Sequence, residues 1–248
     1  MSLIRCPECG NSISDKAEKC PHCGLPASYF AASSQDHGER EAGNLNYQNL
    51  PNVLLSFRRD YAIFFSPEHY ISHRDEQRLR ETYEKYSTSL SSKLIFQSIC
   101  SSASALRLDI DVLQRFLRQM ETLDADVTAH NNAYVDRILQ QDKGYFDNIL
   151  KQIDPKIQLD EEQRRAVITD DDYCLLVAGA GAGKTTTMAA KVKYLVDKKH
   201  IDPSEIIVIS YTNKAIGELR ERINRGLGIS AKICTFHAFA YDIVKQFS

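Results

Sequence analysis

The chain has 248 residues, of which 43% are apolar and 26% are charged, and its net charge at neutral pH is −2. This composition is typical of a globular protein, and the length allows one or two domains with small modules attached. The longest apolar runs have only about five residues, and the first residues lack the apolar stretch of a secretion signal. We therefore expect a cytoplasmic protein with no membrane partner. No basic tail or stripe is present, so any contact with nucleic acid must depend on the local placement of charge.

Four of the seven cysteines lie near the start, in two Cys-Pro-x-Cys-Gly sequences formed by Cys6, Cys9, Cys20 and Cys23. Two Cys-x-x-Cys turns together supply the four thiolates of a tetrahedral structural Zn²⁺ site. A module this small has little core, so the metal would supply its folding free energy, about 10–16 kcal/mol in comparable peptides. Disulfides or a redox pair are the alternative, which a reducing cytosol disfavours. The sequence does not say whether such a ribbon binds nucleic acid or protein, or only braces the terminus.

Composition and periodicity divide the chain into four parts. We expect a zinc ribbon at 1–28, a polar linker at 29–50, an all-helical accessory region at 51–153 and an α/β region at 154–248. In the third part, apolar residues recur at helical spacing and polar breaks interrupt them, which predicts helices packed as antiparallel hairpins. The remaining cysteines are expected to be buried and inert, and they are Cys100, Cys174 and Cys234.

The α/β region alternates apolar strand patterns with helical ones. In chain order the expected elements are a helix from about 160, a strand at 173–177, a helix to about 199, a strand at 206–210, a helix to about 225, a strand at 231–234 and a last helix. This alternation predicts a parallel sheet of the doubly wound kind, which binds ligands at the carboxyl ends of its strands. One face of the second helix carries Met188, Val192, Leu195 and Val196 and could pack on that sheet.

A glycine-rich segment lies between the first expected strand and the second expected helix. It consists of Ala178, Gly179, Ala180, Gly181, Ala182, Gly183, Lys184, Thr185 and Thr186. Small residues let backbone N–H groups surround a polyphosphate, and a helix N-terminus adds partial positive charge. Lys184 would reach the outer phosphates and Thr185 would offer a hydroxyl to Mg²⁺. A flexible Ala/Gly loop with a solvated lysine is the alternative, and the flanking strand and helix patterns favour the nucleotide site.

Three further motifs surround this loop in a fixed order. Leu-Asp-Glu-Glu-Gln-Arg-Arg-Ala-Val begins at Leu159, Tyr-Thr-Asn-Lys-Ala begins at Tyr211, and Thr-Phe-His-Ala-Phe begins at Thr235. Their order and spacing resemble the superfamily 1 DNA helicases of the UvrD/Rep type over residues 155–247. The helix that carries His-Asn-Asn-Ala-Tyr at 130–134 is most similar to bacterial DNA helicase IV. The resemblance implies a partial RecA-like α/β domain, and an activity that couples ATP hydrolysis to 3′-to-5′ translocation on single-stranded DNA.

The resemblance also assigns roles to individual residues. Gln163 matches the glutamine that reads the adenine edge, although without the resemblance it would be an ordinary exposed helix residue. A first motif that contacts single-stranded DNA is matched by Tyr211, Thr212, Asn213 and Lys214. A second is matched by Thr235, Phe236 and His237. An aromatic ring can stack on a base, and hydroxyl and amide groups can contact phosphates. Thr212 also suits a helix N-cap, and His237 could equally be a core residue.

One part of the helicase pattern is missing from these 248 residues. The resemblance implies a later Asp-Glu pair that binds Mg²⁺ and positions water, arginines that stabilise the transferred phosphate, and a second RecA-like domain. None follows the last expected helix. We therefore expect the N-terminal portion of a helicase, as a truncated gene product, a split partner or a shortened chain, for which the missing C-terminal part is a possible partner. The rival interpretation is a non-catalytic module that holds nucleotide or DNA without turnover.

Overall fold

The computed structural model describes residues 47–179 and 181–246, together with the backbone of 3–5 and 12–14, Lys19 and Pro21. Strands β1 (Leu3–Arg5) and β2 (Ser12–Ser14) pair antiparallel, with Ile4 opposite Ile13. The expected zinc ligands Cys6, Cys9, Cys20 and Cys23 and most of the expected linker lie outside the described residues. The end of that linker is not irregular, because Tyr47–Asn49 forms a 3₁₀ turn that leads directly into the first helix.

Helices make up most of the described chain, as the periodicity predicts. They are α1 (Leu50–Phe64), α2 (His73–Leu90), α3 (Lys93–Ser101), α4 (Ala103–Leu106), α5 (Ile110–Glu121), α6 (Leu123–Gln141), α7 (Lys143–Asn148), α8 (Glu161–Ile168), α9 (Lys184–Lys199), α10 (Asn213–Arg220) and α11 (Phe236–Gln246). Polar breaks in the apolar pattern separate helices, as expected: Ser66-Pro67 lies between α1 and α2, and Ser102 lies between α3 and α4. No helix among these is long and apolar enough to cross a bilayer.

The chain forms two compact units. The first comprises 1–56 and 84–117, and the second comprises 57–83 and 118–248. In the first unit the buried apolar side chains include Leu50, Leu54, Leu90, Ile99, Leu113 and Phe116. Ser89 is buried, and its hydroxyl forms a hydrogen bond of 2.5 Å with the Tyr47 hydroxyl. The expected domain boundary at residue 153 remains a prediction from the sequence.

One hydrophobic cluster runs through the second unit, from α6 through α8 and α9 to the sheet. Its most deeply buried members include Phe146, Leu150, Val167, Ile168, Ala189, Ala190 and Ile223. The apolar face expected on α9 contributes to it, since Val192 is buried and Leu195 and Val196 are partly buried, although Met188 is exposed. Helix α9 packs chiefly against α8, and both helices are therefore fixed relative to the same core.

Two of the three strands expected in the α/β region form, and they are parallel as predicted. They are β3 (Ile207–Ser210) and β4 (Lys232–Thr235), with Ser210 opposite Thr235 at their carboxyl ends. The helix between them changes character at Glu221–Gly226, where one turn is π-helical. The structure thus confirms an α/β region that follows a helical region.

The strand expected at 173–177 is absent, so that prediction was wrong. Tyr173, Leu175 and Val177 are 80%, 88% and 84% exposed, and the segment is extended without strand pairing among the described residues. A strand exists only where a neighbour accepts and donates its backbone hydrogen bonds, and β3 pairs only with β4 in the part of the chain described. Cys174, which was expected to be buried, is exposed for the same reason. Of the other two cysteines, Cys234 is buried as expected and Cys100 is partly buried.

Candidate nucleotide and DNA site

The glycine-rich loop makes its turn with glycines in conformations that other residues avoid. Gly181 has φ 79° and Gly183 has φ 81°, both in the left-handed region. Gly183 is the N-cap of α9, so Lys184 and Thr185 are its first two residues. The first backbone N–H groups of a helix lack intrahelical partners and attract anions. The local geometry therefore places such donors at the end of the loop, with Ala180 outside the described residues.

Lys184 and Thr185 present their polar groups at this helix start. The Lys184 ammonium donates to the carbonyl oxygens of Ala178 and Gly179, at 2.6 Å each. Among the described residues the hydroxyls of Thr186 and Thr187 are hydrogen-bonded, whereas the Thr185 hydroxyl has no protein partner. The lysine thus closes over the loop that would hold phosphates, and the threonine oxygen is free to bind a cation. Hydroxyl and phosphate oxygens are hard ligands that suit Mg²⁺, so these residues fit that ion.

Gln163 lies against the same loop. Its backbone N–H donates to Asp160 Oδ1 at 2.8 Å, and its Oε1 accepts from the Asp160 N–H at 3.1 Å, which forms a capping box at the start of α8. Its Nε2 lies 3.4 Å from the carbonyl oxygen of Ala182. A Cβ on Gly183 would come within 2.5 Å of that nitrogen, so another residue at this position would push the Gln163 amide away from the loop. The fold therefore joins the predicted adenine-reading residue to the predicted phosphate loop, which are 19 residues apart.

The two predicted DNA motifs lie side by side. Because β3 and β4 are parallel neighbours, Tyr211 and Phe236 both come directly after the carboxyl ends of these strands. The two residues are 83% and 60% exposed. Each motif begins a helix: the Thr212 hydroxyl accepts from the Ala215 N–H, and the Thr235 hydroxyl accepts from the Ala238 N–H, both at 3.2 Å. The sequence predicted the first of these caps, and the second is equivalent to it.

Further predicted residues are exposed near these strand ends. Asn213 and Lys214 form the solvent-facing first turn of α10, and the His237 ring lies edge-on to Phe236 with centroids 6.3 Å apart. The interpretation of His237 as a core residue was wrong, because its side chain is exposed. Exposed aromatic rings provide surfaces on which bases can stack, and helix N-termini provide N–H groups that can donate hydrogen bonds to phosphates.

Three aspartates that the sequence interpretation did not single out hold the segment before the loop. Asp170 pairs with Lys199 at 2.8 Å. Asp171 accepts from the backbone N–H of His73 at 2.9 Å, and Asp172 accepts from that of Arg74 at 2.8 Å, at the N-terminus of α2. The Arg74 N–H holds the pKa of Asp172 below its ordinary value. Carboxylates are favoured at helix N-termini. The sequence interpretation missed these contacts because the partners are 98 positions apart and no local pattern indicates them.

A second unforeseen contact links the phosphate loop to the DNA motifs. Arg222, in the π-helical turn after α10, donates to the Thr186 hydroxyl at 3.1 Å. Thr186 follows Thr185 in the first turn of α9, and α10 starts at the Tyr211 motif. The helix behind one DNA motif is thus hydrogen-bonded to the helix behind the phosphate loop.

A glycine-rich loop that ends in Gly-Lys-Thr at a helix start is typical of the P-loop class of nucleotide-binding domain. Comparison with known families agrees: residues 159–248 match the model of the UvrD/REP helicase N-terminal domain. Residues 2–26 match a zinc-ribbon domain, which supports zinc as a cofactor. No cluster of three or more His, Cys, Asp or Glu side chains suited to a metal occurs where side chains are described.

Several curated proteins are similar to the same third of the chain. The ATP-dependent DNA helicase UvrD1 of Mycobacterium leprae is 40% identical over 92 residues, which are 36% of this chain and 12% of that protein. The ATP-dependent DNA helicase PcrA of Bacillus subtilis is 41% identical over 91 residues, again 36% of this chain and 12% of the relative. A probable DNA helicase II homolog of Mycoplasma capricolum is 38% identical over 90 residues. This chain therefore spans 12% of the length of these relatives.

Proposed function

We propose that residues 154–248 are the N-terminal part of the ATP-binding domain of a superfamily 1 DNA helicase, which binds Mg²⁺ and ATP and contacts single-stranded DNA. The observation that carries this proposal is the placement of Gln163, Lys184 and Thr185 around one glycine-rich loop at the start of α9. In an intact helicase, ATP hydrolysis would drive 3′-to-5′ translocation. Similarity to helicase IV in particular, and a cytoplasmic location, remain parts of the proposal.

The chemistry at the loop follows from its donors. The N–H groups at the start of α9 and the Lys184 ammonium would bind the phosphates, and Lys184 would exchange its two loop carbonyls for phosphate oxygens. Mg²⁺, held by the Thr185 hydroxyl, would neutralise phosphate charge. Gln163 would turn its carboxamide from the capping box to the adenine edge. A carboxamide suits that edge because it can donate and accept hydrogen bonds in a single plane.

Replacement of Lys184 by alanine tests the nucleotide site. We expect Lys184→Ala to weaken binding of Mg·ATP by about 10-fold or more, since a charge-assisted hydrogen bond to phosphate is worth about 1.5–3 kcal/mol. Fluorescence titration with a labelled ATP measures the change. The matched control is Lys193→Ala on the same helix, whose ammonium pairs with Asp197 at 2.9 Å and which should bind normally. Equal affinity in the two variants would contradict the assignment of the loop.

Replacement of Tyr211 by alanine tests the DNA site. We expect Tyr211→Ala to weaken binding of a single-stranded oligonucleotide by roughly 5- to 100-fold, because stacking of one base on an aromatic ring is worth about 1–3 kcal/mol. Tyr173→Ala is the control, since that ring is as exposed as Tyr211 but lies outside both motifs. Fluorescence anisotropy at low salt measures both. If the two tyrosines contribute equally, exposure alone explains the binding and the DNA motif is wrongly assigned.

The rival function is a module that binds nucleotide or DNA without turnover. The observation that favours it is the small sheet, since β3 pairs only with β4 among the described residues and the segment at 173–177 has no strand pairing. Both functions share the same binding residues, and only hydrolysis separates them.

A further inference from the structure

Helix α9 carries two lysines on one face. Lys184 and Lys191 are seven residues apart, which is about two helical turns, so both side chains leave the same side of the helix. Lys184 bonds the glycine-rich loop. Lys191 bonds the far end of α8, where its ammonium donates to the carbonyl oxygens of Val167 at 2.9 Å and Thr169 at 2.5 Å. These carbonyls belong to the last turn of α8 and to its C-cap.

Lys191 is a partly buried lysine whose ammonium binds backbone carbonyls. The ammonium forms no ion pair with a carboxylate among the described residues. Burial lowers the pKa of Lys191, and the charge of Asp170 partly opposes this. An ammonium is costly to desolvate, and here the carbonyls at a helix C-terminus, which carry partial negative charge, offset that cost. An apolar side chain would fill the same space without this cost, but it could not donate hydrogen bonds to the two carbonyls. We therefore attribute the role of Lys191 to these hydrogen bonds.

Helix α8 is therefore attached at both ends, to the glycine-rich loop at its start and to helix α9 at its end. At its start, the Gln163 amide lies against Ala182 and Gly183 of the loop. At its end, the Lys191 ammonium holds Val167 and Thr169. The helix has only eight residues, so a shift at its C-terminus moves Gln163 by a similar amount. Planar hydrogen bonding to a base edge does not tolerate such a shift, because the strength of a hydrogen bond falls steeply with angle.

We infer that Lys191 is a positioning residue that determines the base selectivity of the nucleotide site, because it fixes α8 so that the Gln163 carboxamide meets the adenine edge. This inference rests on the proposed binding of ATP. Adenine presents an amino donor and a ring-nitrogen acceptor, whereas guanine presents carbonyl oxygen in place of the amino group. A correctly placed carboxamide discriminates between the two, and a displaced one does not.

The test compares the affinities of the 248-residue chain for Mg·ATP and Mg·GTP, measured with fluorescent analogues. We expect Lys191→Met to lower the ratio of ATP to GTP affinity by about 5- to 10-fold, while GTP affinity changes less than about twofold. The matched control is Lys193→Met on the same helix, which should leave the ratio unchanged. In a Gln163→Ala background, Lys191→Met should have no further effect on the ratio, because the two residues act through one contact.

Each result decides the question. An unchanged ratio in Lys191→Met, or an equal fall in both affinities, shows a merely structural lysine and overturns the inference. Binding of ATP and GTP with equal affinity by the unaltered chain also overturns it, while the phosphate site stands. Absence of any nucleotide binding by the unaltered chain refutes the proposed function itself. If Lys191→Met does not fold, Lys191→Gln, which keeps an N–H donor on a shorter side chain, should show the same direction of change.

Discussion

The purified 248-residue chain is expected to hydrolyse ATP no faster than background and to leave duplex DNA unopened, with or without single-stranded DNA. Catalysis of phosphoryl transfer depends almost entirely on positioning and electrostatic stabilisation of the transferred group. The proposed site has groups for binding the phosphates, but residues 236–248 contain no Asp-Glu pair to position water. An arginine that stabilises the transition state is typically worth about 10³–10⁵ in rate. Among the described residues, Arg222 is the arginine bonded near this loop, and it donates to Thr186.

Phosphate release measured with and without a single-stranded oligonucleotide checks this prediction. The Lys184→Ala variant identifies any contaminating ATPase, because a contaminant does not depend on Lys184. A DNA-stimulated rate that Lys184→Ala abolishes would show a complete catalytic site within these residues and would favour the enzyme over the binding module. Mg·ATP binding without turnover is the expected result, and it agrees with binding residues that do not form a complete catalytic site within these 248 residues.

One zinc ion per chain is the second large effect that we expect. The ligand set Cys6, Cys9, Cys20 and Cys23 falls within the residues that match a zinc-ribbon domain. Cys6 and Cys9 lie in sequence between β1 and β2, the two paired strands, as expected for a metal-binding turn in a hairpin. Three-residue strands are marginal without further support, so loss of about 10–16 kcal/mol of metal-binding free energy should unfold the ribbon.

Elemental analysis should find one zinc, and a strong chelator should remove it and make the four thiols reactive towards a colorimetric thiol reagent. Cys9→Ser should abolish stoichiometric zinc, whereas Cys100→Ser, outside the ribbon, should retain it. The nucleotide affinity of the P-loop should stay the same in both variants. A zinc-free chain whose N-terminal segment resists proteolysis as well as the untreated chain does would contradict the prediction.

Sequence patterns predicted the elements around the loop closely because the relevant interactions are local. The capping box of Asp160 and Gln163 spans three residues, and Thr212 caps a helix that begins at the next residue. Sequence patterns identified the start of α8, the end of α9 and both strands of the parallel sheet to within one or two residues. Two of the loop glycines, Gly181 and Gly183, have positive φ angles, which glycine adopts without strain, and this requirement is also local.

The same patterns failed where a long-range partner decides the outcome. Segment 173–177 has the composition of a buried strand, and its burial depends on a neighbouring strand that the described residues do not supply. Helix α11, in contrast, forms as predicted although none of its described residues is buried, because its hydrogen bonds are local. For the strand, propensity indicates what the segment can form, and pairing determines whether it does.

The sequence by itself determined the order of motifs, the helix caps and the type of binding loop, because each depends on residues within a few positions of one another. Only the tertiary structure placed Gln163 on the loop, brought Tyr211 and Phe236 to one sheet edge, and set Lys191 and the Asp171 and Asp172 carboxylates against helix ends. Those contacts join groups 19 to 98 positions apart. They arise when burial of one core fixes several helices at once, and no local pattern records which distant backbone groups will need a partner.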